Sequence, residues 1–363
     1  MRVAVIVPCC NDLQGELQEN LLAIARQRRR PDRLILVARG GGDTALPVMK
    51  ALRRAYPFVR VVLAGAAETC SQKNHSLIAA LAHTGHAELY VFADSDIRPD
   101  EEWLDDLLEP LETDPRIGAS SALGALPAGD GRLVSAMQAL FAMHQCGFQR
   151  LASYAWGGSM AVRASVFHAA DVVPTWSRTV IDDLVLSRQV GRLARVVTLP
   201  AVHTGAAAKP GDWGACLLWS VRQYQYVKVH LSFAFRALVA WELLACAVVV
   251  VLPVGVLLGV PAAAAILPGL AYVGGMTVVN LVLFGIGRGR SGLLARVGAS
   301  ILFGFLVIYV TLAAWLQRKL IWRGIAYQMD DDGNVVSVQL RIPQLQGEAA
   351  TCGGFVSERL RRR

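Results

Sequence analysis

Two carboxylates separated by one residue follow directly on an apolar run. Residues 89–93 read Leu-Tyr-Val-Phe-Ala, which is typical of a strand buried on both faces, and Asp94 and Asp96 come next. In α/β proteins, ligands bind just beyond the carboxyl ends of such strands. Carboxylate oxygens suit a hard divalent cation that holds phosphate oxygens. A helix N-cap is the alternative, but Asp100, just after Pro99, suits that role better. The pair is therefore predicted to bind metal and phosphate.

A second acidic pair, Asp182-Asp183, begins a segment with apolar residues at Leu184, Leu186 and Val190, which predicts a helix. Acidic residues are favoured at a helix N-terminus by the helix dipole alone, and this is one interpretation. The other is catalytic: a carboxylate here takes the proton from an attacking hydroxyl. On this interpretation the pair contains a general base.

Two runs of adjacent glycines could lie at a ligand site. Gly157-Gly158 allows the backbone to approach a ligand closely, although a tight turn between strands needs the same residues. The glycines at 40–42 match neither of the common phosphate-loop patterns, so they predict a surface turn.

Aromatic and basic side chains are mixed over residues 219–228. This mixture is expected of any helix at a membrane interface. The alternative is that Arg222 or Lys228 neutralises a leaving diphosphate.

The elements that position these residues alternate between strands and helices. Such alternation predicts an α/β domain with a mostly parallel sheet and helices on both faces. The predicted strands are Val3–Pro8, Leu34–Val37, Val59–Leu63 and Leu89–Ala93, and the predicted helices are 46–56 and Ser71–His83.

The C-terminal third is much more apolar. Segments 237–259, 262–286 and 297–316 each have the roughly 20 residues that a membrane-spanning helix needs. The chain is therefore predicted to comprise a soluble domain (1–236), a membrane region (237–316) and a tail (317–363).

Because the first strand follows Met1 and Arg2 directly, no signal peptide is predicted, and the soluble domain is expected in the cytosol of a multi-pass membrane protein. Glu242, inside the first segment, lies either at the interface or in a functional site.

The net charge of +8 fits this picture. Basic residues near a membrane are attracted to anionic lipid by about 1 kcal/mol each. With a membrane anchor present, nucleic acid is not expected as a partner.

The order of the motifs is recognisable. It comprises a strand ending at Pro8 with Asn11-Asp12, Lys73-Asn74, Asp94-Ser95-Asp96, Gly157-Gly158, Asp182-Asp183, the basic aromatic segment and then membrane spans. This order resembles family-2-like glycosyltransferases of the GT-A fold, and most closely the ceramide glucosyltransferase branch (family 21) with its hopanoid-associated relatives. Residues 94–98 look like that branch's D-S-x-I-R run. Trp322-Arg323-Gly324 with Tyr327 resembles the W-R-G-x-x-Y tail of many membrane members.

The resemblance implies roles for individual residues. Those implied to bind the nucleotide-sugar donor are Pro8, Asn11, Asp12, Lys73, Asn74, Asp94, Gly157, Gly158 and Gln223. Asp96, with Asp94, is implied to hold Mg²⁺ or Mn²⁺. Asp183 is implied to be the base, with Asp182 and Arg222 also in the catalytic group.

Two departures from the family pattern concern the donor. Val37-Ala38-Arg39 stands where an acid usually follows the second strand, and the (Q/R)-x-x-R-W motif reads Arg222-Gln-Tyr-Gln225-Tyr226. The altered motif leaves the leaving-group clamp without its second arginine.

The resemblance thus implies a membrane-bound inverting glycosyltransferase that moves glucose from UDP-glucose to a lipid hydroxyl, such as that of ceramide, another sphingoid lipid or a hopanoid. A polyprenyl-phosphate sugar transferase is the enzymatic alternative. A non-catalytic nucleotide-binding membrane scaffold is the alternative from another class.

Overall fold

The computed structural model describes residues 1–9, 16–124, 130–199, 212–286 and 292–340. The chain divides into two compact units. The first comprises Met1–Ala125, Phe148–Ala207 and Lys319–Arg363, and the second comprises Leu126–Gly147 and Ala208–Arg318. The functional domain boundaries at 236 and 316 stay a prediction.

A mixed, mostly parallel sheet forms the centre of the first unit. Within the described residues its seven strands follow the order β3-β2-β1-β4-β6-β5-β7, and only β6 runs antiparallel to its neighbours. The strands are β1 (Val3–Pro8), β2 (Arg33–Ala38), β3 (Val59–Leu63), β4 (Leu89–Ala93), β5 (Ile117–Ala122), β6 (Ser159–Arg163) and β7 (Arg195–Leu199). Since β2, β1 and β4 are parallel neighbours, their carboxyl ends meet at one edge of the sheet.

Helices connect these strands. They are α1 (Leu17–Ala25), α2 (Leu46–Ala55), α3 (Gln72–Leu81), α4 (Trp103–Thr113), α5 (Leu133–Ala152), α6 (Ala164–Ala169), α7 (Val172–Trp176) and α8 (Asp183–Val190). Every residue of β4 and β5 is buried, which explains the continuous apolar runs in the sequence. The three strands predicted at 3–8, 59–63 and 89–93 have the bounds found in the structure.

The start of α4 differs from the sequence prediction. The helix begins at Trp103, with Glu102 in the N-cap position, so the prediction that Asp100 is its N-cap was wrong. Gln27, a buried residue distant in sequence, supplies the cap instead, because its Oε1 accepts a hydrogen bond from Leu104 N at 3.0 Å. A tertiary contact has replaced the local one.

A small antiparallel sheet completes the first unit. Its strands are β8 (Lys319–Trp322), β9 (Ile325–Met329) and β10 (Val335–Leu340). Tyr327, on β9, is buried and its hydroxyl accepts a hydrogen bond from Gln72 N at 3.2 Å. Val335 N donates to Arg178 O at 2.7 Å. The sheet is thus tied to α3 and to the segment before α8.

The second unit is helical. It contains residues 133–147 of α5 together with α9 (Trp213–His230), α10 (Ser232–Cys246), α11 (Leu252–Val254), α12 (Ala262–Ile286) and α13 (Leu293–Leu316). Within the described residues, three helical stretches are long and apolar enough to cross a membrane: Ser232–Leu258, Ala262–Leu283 and Leu293–Leu316. Inside the unit, Phe141, Phe303 and Val310 belong to a shared hydrophobic core.

Candidate active site

Lys73 is held between carboxylates from two different parts of the chain. Its Nζ lies 2.8 Å from Asp94 Oδ1 and 3.0 Å from Asp182 Oδ2, and it donates to Gly157 O at 3.1 Å. Burial by itself would lower the pKa of Lys73, but the Asp182 and Asp94 carboxylates raise it to a net value above the ordinary one. The ammonium therefore stays charged and joins the two acidic pairs.

The second carboxylate of the strand-end pair is more open. The side chain of Asp96 is 44% exposed, and its Oδ2 lies 3.9 Å from Arg323 Nη2. The pKa of Asp96 is raised above its ordinary value. The larger cause is burial, which removes part of the water around the carboxylate, and the second is repulsion from the Asp94 carboxylate. Two carboxylates that repel each other in this way form a site that a cation stabilises.

The residues present fit a divalent cation. No group of three or more His, Cys, Asp or Glu side chains that could hold a metal occurs in the part of the chain that the structure describes. Asp94 and Asp96 nevertheless offer hard oxygen donors. Mg²⁺ in such sites is typically bound by one or two carboxylates plus substrate phosphates and water. The donor set therefore suits a cation that shares its ligands with a bound diphosphate.

Asp183 is the first residue of α8, and both of its carboxylate oxygens accept backbone hydrogen bonds. Oδ2 accepts from Gly157 N at 2.9 Å and Oδ1 accepts from Leu184 N at 2.7 Å. Burial, and then repulsion from Asp182, raises the pKa of Asp183 to about 7. A base with a pKa close to the working pH is well suited to proton transfer.

Gly157 and Gly158 form the turn before β6. A Cβ on Gly157 would lie 2.6 Å from Asp182 Oδ2 and 2.8 Å from Lys73 Nζ, so only glycine fits. A Cβ on Gly158 would clash with the Trp156 indole. The glycine pair is a turn, as one interpretation of the sequence expected, and its backbone also contacts Lys73 and Asp183.

Asn74 lies inside the protein. It is fully buried, and its Nδ2 donates to Thr179 O at 3.0 Å and to Trp176 O at 3.2 Å. Ser71, which caps α3, also donates its backbone N–H to Thr179 O, at 3.1 Å. Asn74 therefore fixes the segment leading to Asp182, and its role at the donor stays a prediction.

A cavity of about 470 Å³ lies beside Lys73 and Asp94, within the first unit. This volume is in the range of small-molecule sites. Residues from the carboxyl ends of β1, β2 and β4 and from the β8–β9 turn line it, among them Pro8, Arg39, Asp43, Asp94, Trp322 and Arg323. Gly40 and Gly42, predicted as a surface turn, also line it.

Sequence reasoning left Arg39 and Arg323 out of the site. For Arg323 a signal existed, since the W-R-G-x-x-Y resemblance marked the residue but carried no role. For Arg39 the signal was its place directly after β2, at the edge of the sheet where ligands bind.

Four other predicted site residues are not tested by the described structure of the first unit. Asn11 and Asp12 lie outside the described residues. Arg222 and Gln223 lie on α9, in the second unit, where Gln223 Oε1 accepts a hydrogen bond from Gln145 Nε2 at 2.8 Å. Their roles at the substrate stay predictions.

Lys228, the other candidate for the diphosphate clamp, caps a helix instead. Its Nζ donates to the carbonyl oxygens of Ala314, Trp315 and Gln317 at the C-terminal end of α13, at 3.1, 2.7 and 3.2 Å. An ammonium has three N–H donors, and a cation is favoured at a helix C-terminus. Lys228 therefore has a structural role.

The family described as Glycosyl transferase family 21 matches residues 2–335, nearly the whole chain, including both acidic pairs and the β8–β9 turn. The chain belongs to this family. This family 21 member is thus a glycosyltransferase that uses a nucleotide-sugar donor, and its mostly parallel α/β sheet is of the GT-A type, as the sequence predicted. A search of curated proteins gives no match.

Solved structures similar to this family 21 enzyme include two glycosyltransferases. A mannosyltransferase from Pyrobaculum calidifontis, solved with GDP-Man and Mn²⁺, is 17% identical, with 87% of each chain covered and a TM-score of 0.49. Glucosyl-3-phosphoglycerate synthase from Mycobacterium tuberculosis, solved with Mn²⁺ and UDP, is 18% identical, with 59% of this chain and 75% of that chain covered and a TM-score of 0.39. Similarity at this level does not identify the donor or the acceptor of the family 21 enzyme.

Proposed function

We propose that this enzyme transfers glucose from UDP-glucose to the hydroxyl of a membrane lipid, with inversion at the anomeric carbon. One observation carries the proposal: Lys73 holds one member of each acidic pair and leaves Asp96 and Asp183 for a cation and a base. The candidate acceptors are ceramide, another sphingoid lipid and a hopanoid. Three helical stretches long enough to cross a membrane support a lipid acceptor and a multi-pass location. The proposal also places the catalytic domain in the cytosol.

The chemistry is a single displacement. Asp183 takes the proton from the acceptor hydroxyl, whose oxygen attacks the anomeric carbon while the bond from that carbon to the diphosphate oxygen breaks. Asp96 and Asp94 would hold Mg²⁺ or Mn²⁺, which supplies positive charge to the departing diphosphate. Lys73 fixes Asp94 and Asp182 in place, and the Gly157 N–H orients Asp183.

The nature of the base favours a hydroxyl acceptor over a polyprenyl phosphate. A hydroxyl must lose its proton as it attacks, whereas a phosphate is already ionised at neutral pH. Asp183, with a pKa raised to about 7, is suited to the first task and is not needed for the second.

The test is sugar incorporation into extracted lipid. Membranes containing the enzyme are given Mn²⁺ or Mg²⁺, a panel of labelled nucleotide sugars, and ceramide, hopanoid or polyprenyl phosphate. We expect a glycolipid that depends on UDP-glucose, on the metal and on Asp183, and its mass identifies the acceptor. A product on polyprenyl phosphate that survives Asp183→Asn would replace the proposal with the alternative transferase. No product with any donor would favour the scaffold.

A further inference from the structure

The β8–β9 turn has an unusual backbone at the edge of the cavity. Arg323 has φ +49° and Gly324 has φ +74°, and Trp322, Arg323 and Gly324 all line the cavity. A left-handed conformation is uncommon for a residue other than glycine, asparagine or aspartate, and such residues concentrate at ligand sites. The turn itself does not favour an arginine at this position, so we expect the side chain to have a function at the cavity.

The small sheet holds this turn in a fixed place relative to both acidic pairs. The hydroxyl of Tyr327 accepts a hydrogen bond from the backbone N–H of Gln72 on α3, the helix that carries Lys73. The backbone N–H of Val335 donates a hydrogen bond to the carbonyl oxygen of Arg178, which lies four residues before Asp182. The guanidinium of Arg323 consequently lies 3.9 Å from Asp96, while its side chain remains 36% exposed.

The departing diphosphate needs positive charge, and two of the other basic residues considered for it already have partners in the protein, while the role of Arg222 stays a prediction. Lys73 has three partners inside the protein, and Lys228 caps α13. The (Q/R)-x-x-R-W motif has Gln225 in place of its second arginine.

Arg39 also lines the cavity, but it follows β2, which is separated from β4 by β1. Two strand spacings, about 10 Å, therefore lie between β2 and the strand that carries the metal-binding pair. Arg323, by contrast, is beside that pair.

We infer that Arg323 binds the terminal phosphate of the nucleoside-diphosphate sugar and carries the negative charge that this phosphate gains when the bond to the sugar breaks. The inference rests on the proposed function and adds a donor-binding residue to it. The planar guanidinium offers paired N–H donors that match two phosphate oxygens. The same group also lies 3.9 Å from Asp96 Oδ2, next to the proposed metal site.

Nucleotide binding to the purified full-length enzyme in detergent tests this role, by titration calorimetry with UDP and with UMP. Arg323→Gly removes the guanidinium but suits the positive φ, and Arg323→Lys retains a charge. Lys319→Gln, an exposed position on the same β8, removes one charge away from the cavity and is the matched control. We expect Arg323→Gly to weaken UDP binding about tenfold or more, with UMP binding little changed. Arg323→Lys should recover part of the loss, and Lys319→Gln should bind as the wild type.

Three results would overturn the inference. Wild-type UDP affinity in Arg323→Gly would show that the guanidinium makes no contact with the diphosphate. Equal losses for UDP and UMP would show that the residue only supports the fold of the turn. A selective loss of UDP affinity in Arg39→Gln, and not in Arg323→Gly, would assign the phosphate to Arg39. A wild-type enzyme that does not bind UDP would instead refute the proposed function together with this inference.

Discussion

The two acidic pairs of the first unit are built differently and have one arrangement in common. Asp94 and Asp96 follow a fully buried strand, whereas Asp182 and Asp183 stand at the start of α8. In each pair, one carboxylate lies within 3.0 Å of Lys73 Nζ. The other, Asp96 or Asp183, has contacts with other groups and a raised pKa.

This difference within each pair agrees with the proposed roles of Asp96 and Asp183, although Asp94, which Lys73 also holds, is a proposed metal ligand too. A buried carboxylate needs a cation nearby, because its desolvation is otherwise too costly. Lys73 meets that need for Asp182, which is only 4% exposed, and also reaches Asp94. The remaining carboxylate of each pair can then bind a metal or accept a proton. The following changes test that division.

Asp183→Asn should have the largest effect. Asparagine keeps the shape of the side chain but cannot accept a proton, so transfer should fall by about 10²- to 10⁴-fold while UDP binding persists. Sugar incorporation and titration calorimetry measure the two quantities. Asp171→Asn, an exposed residue whose left-handed backbone suits asparagine, is the matched control. If Asp183→Asn also lost UDP binding, the role of Asp183 would instead be structural, namely to stabilise the N-terminus of α8.

Lys73→Met should mainly cost stability. Removing the ammonium leaves Asp182 buried without its partner, which typically destabilises a protein by about 3–5 kcal/mol. Thermal unfolding in detergent measures the loss. The double variant Lys73→Met with Asp182→Asn should recover much of it, because the buried charge is then gone. If the losses of stability caused by Lys73→Met and Asp182→Asn simply added in the double variant, the Lys73–Asp182 ion pair would not be the source of the effect.

Asp96→Ala should remove the gain in UDP affinity that Mn²⁺ gives the wild type, because one of the two proposed metal ligands is lost. The metal-independent part of UDP binding should remain. Asp100→Ala, an exposed acid four residues further on, is the matched control and should keep the full gain. A wild-type response to Mn²⁺ in Asp96→Ala would contradict the metal assignment.

The pH dependence should show the smallest effect. A base with a pKa of about 7 makes the transfer rate fall tenfold per pH unit below pH 7. Since Asp182 contributes to the raised pKa, Asp182→Asn should move the midpoint of this acidic limb to lower pH. An unchanged midpoint would mean that another group titrates. The free energy of unfolding should change in the opposite direction from the rate. Asp183 has a pKa of about 3.9 in the unfolded chain, so between that pH and pH 7 its carboxyl is protonated in the folded state and ionised in the unfolded state. The stability that Asp183 contributes therefore falls as the pH rises through this range.

Much of this arrangement was predictable because its determinants are local. A run such as residues 89–93 buries both faces of a strand whatever surrounds it, and β4 has the bounds that the sequence predicted. Ser71 before α3 is a local N-cap. The cap of α4 was not predictable, since Gln27 reaches it from a distant part of the chain. Local spacing contains no information about such a contact.

The sequence by itself determined the strand–helix alternation, the positions of the acidic pairs and the apolar helices, because each depends on neighbouring residues. Only the tertiary structure decided which carboxylate of each pair Lys73 holds, since Asp94 and Asp182 are 88 residues apart in the numbering and meet only when the sheet and α8 have packed. It also placed Arg323, near the end of the chain, beside Asp96. Pairing of charges depends on distances in space, and those distances are fixed by packing.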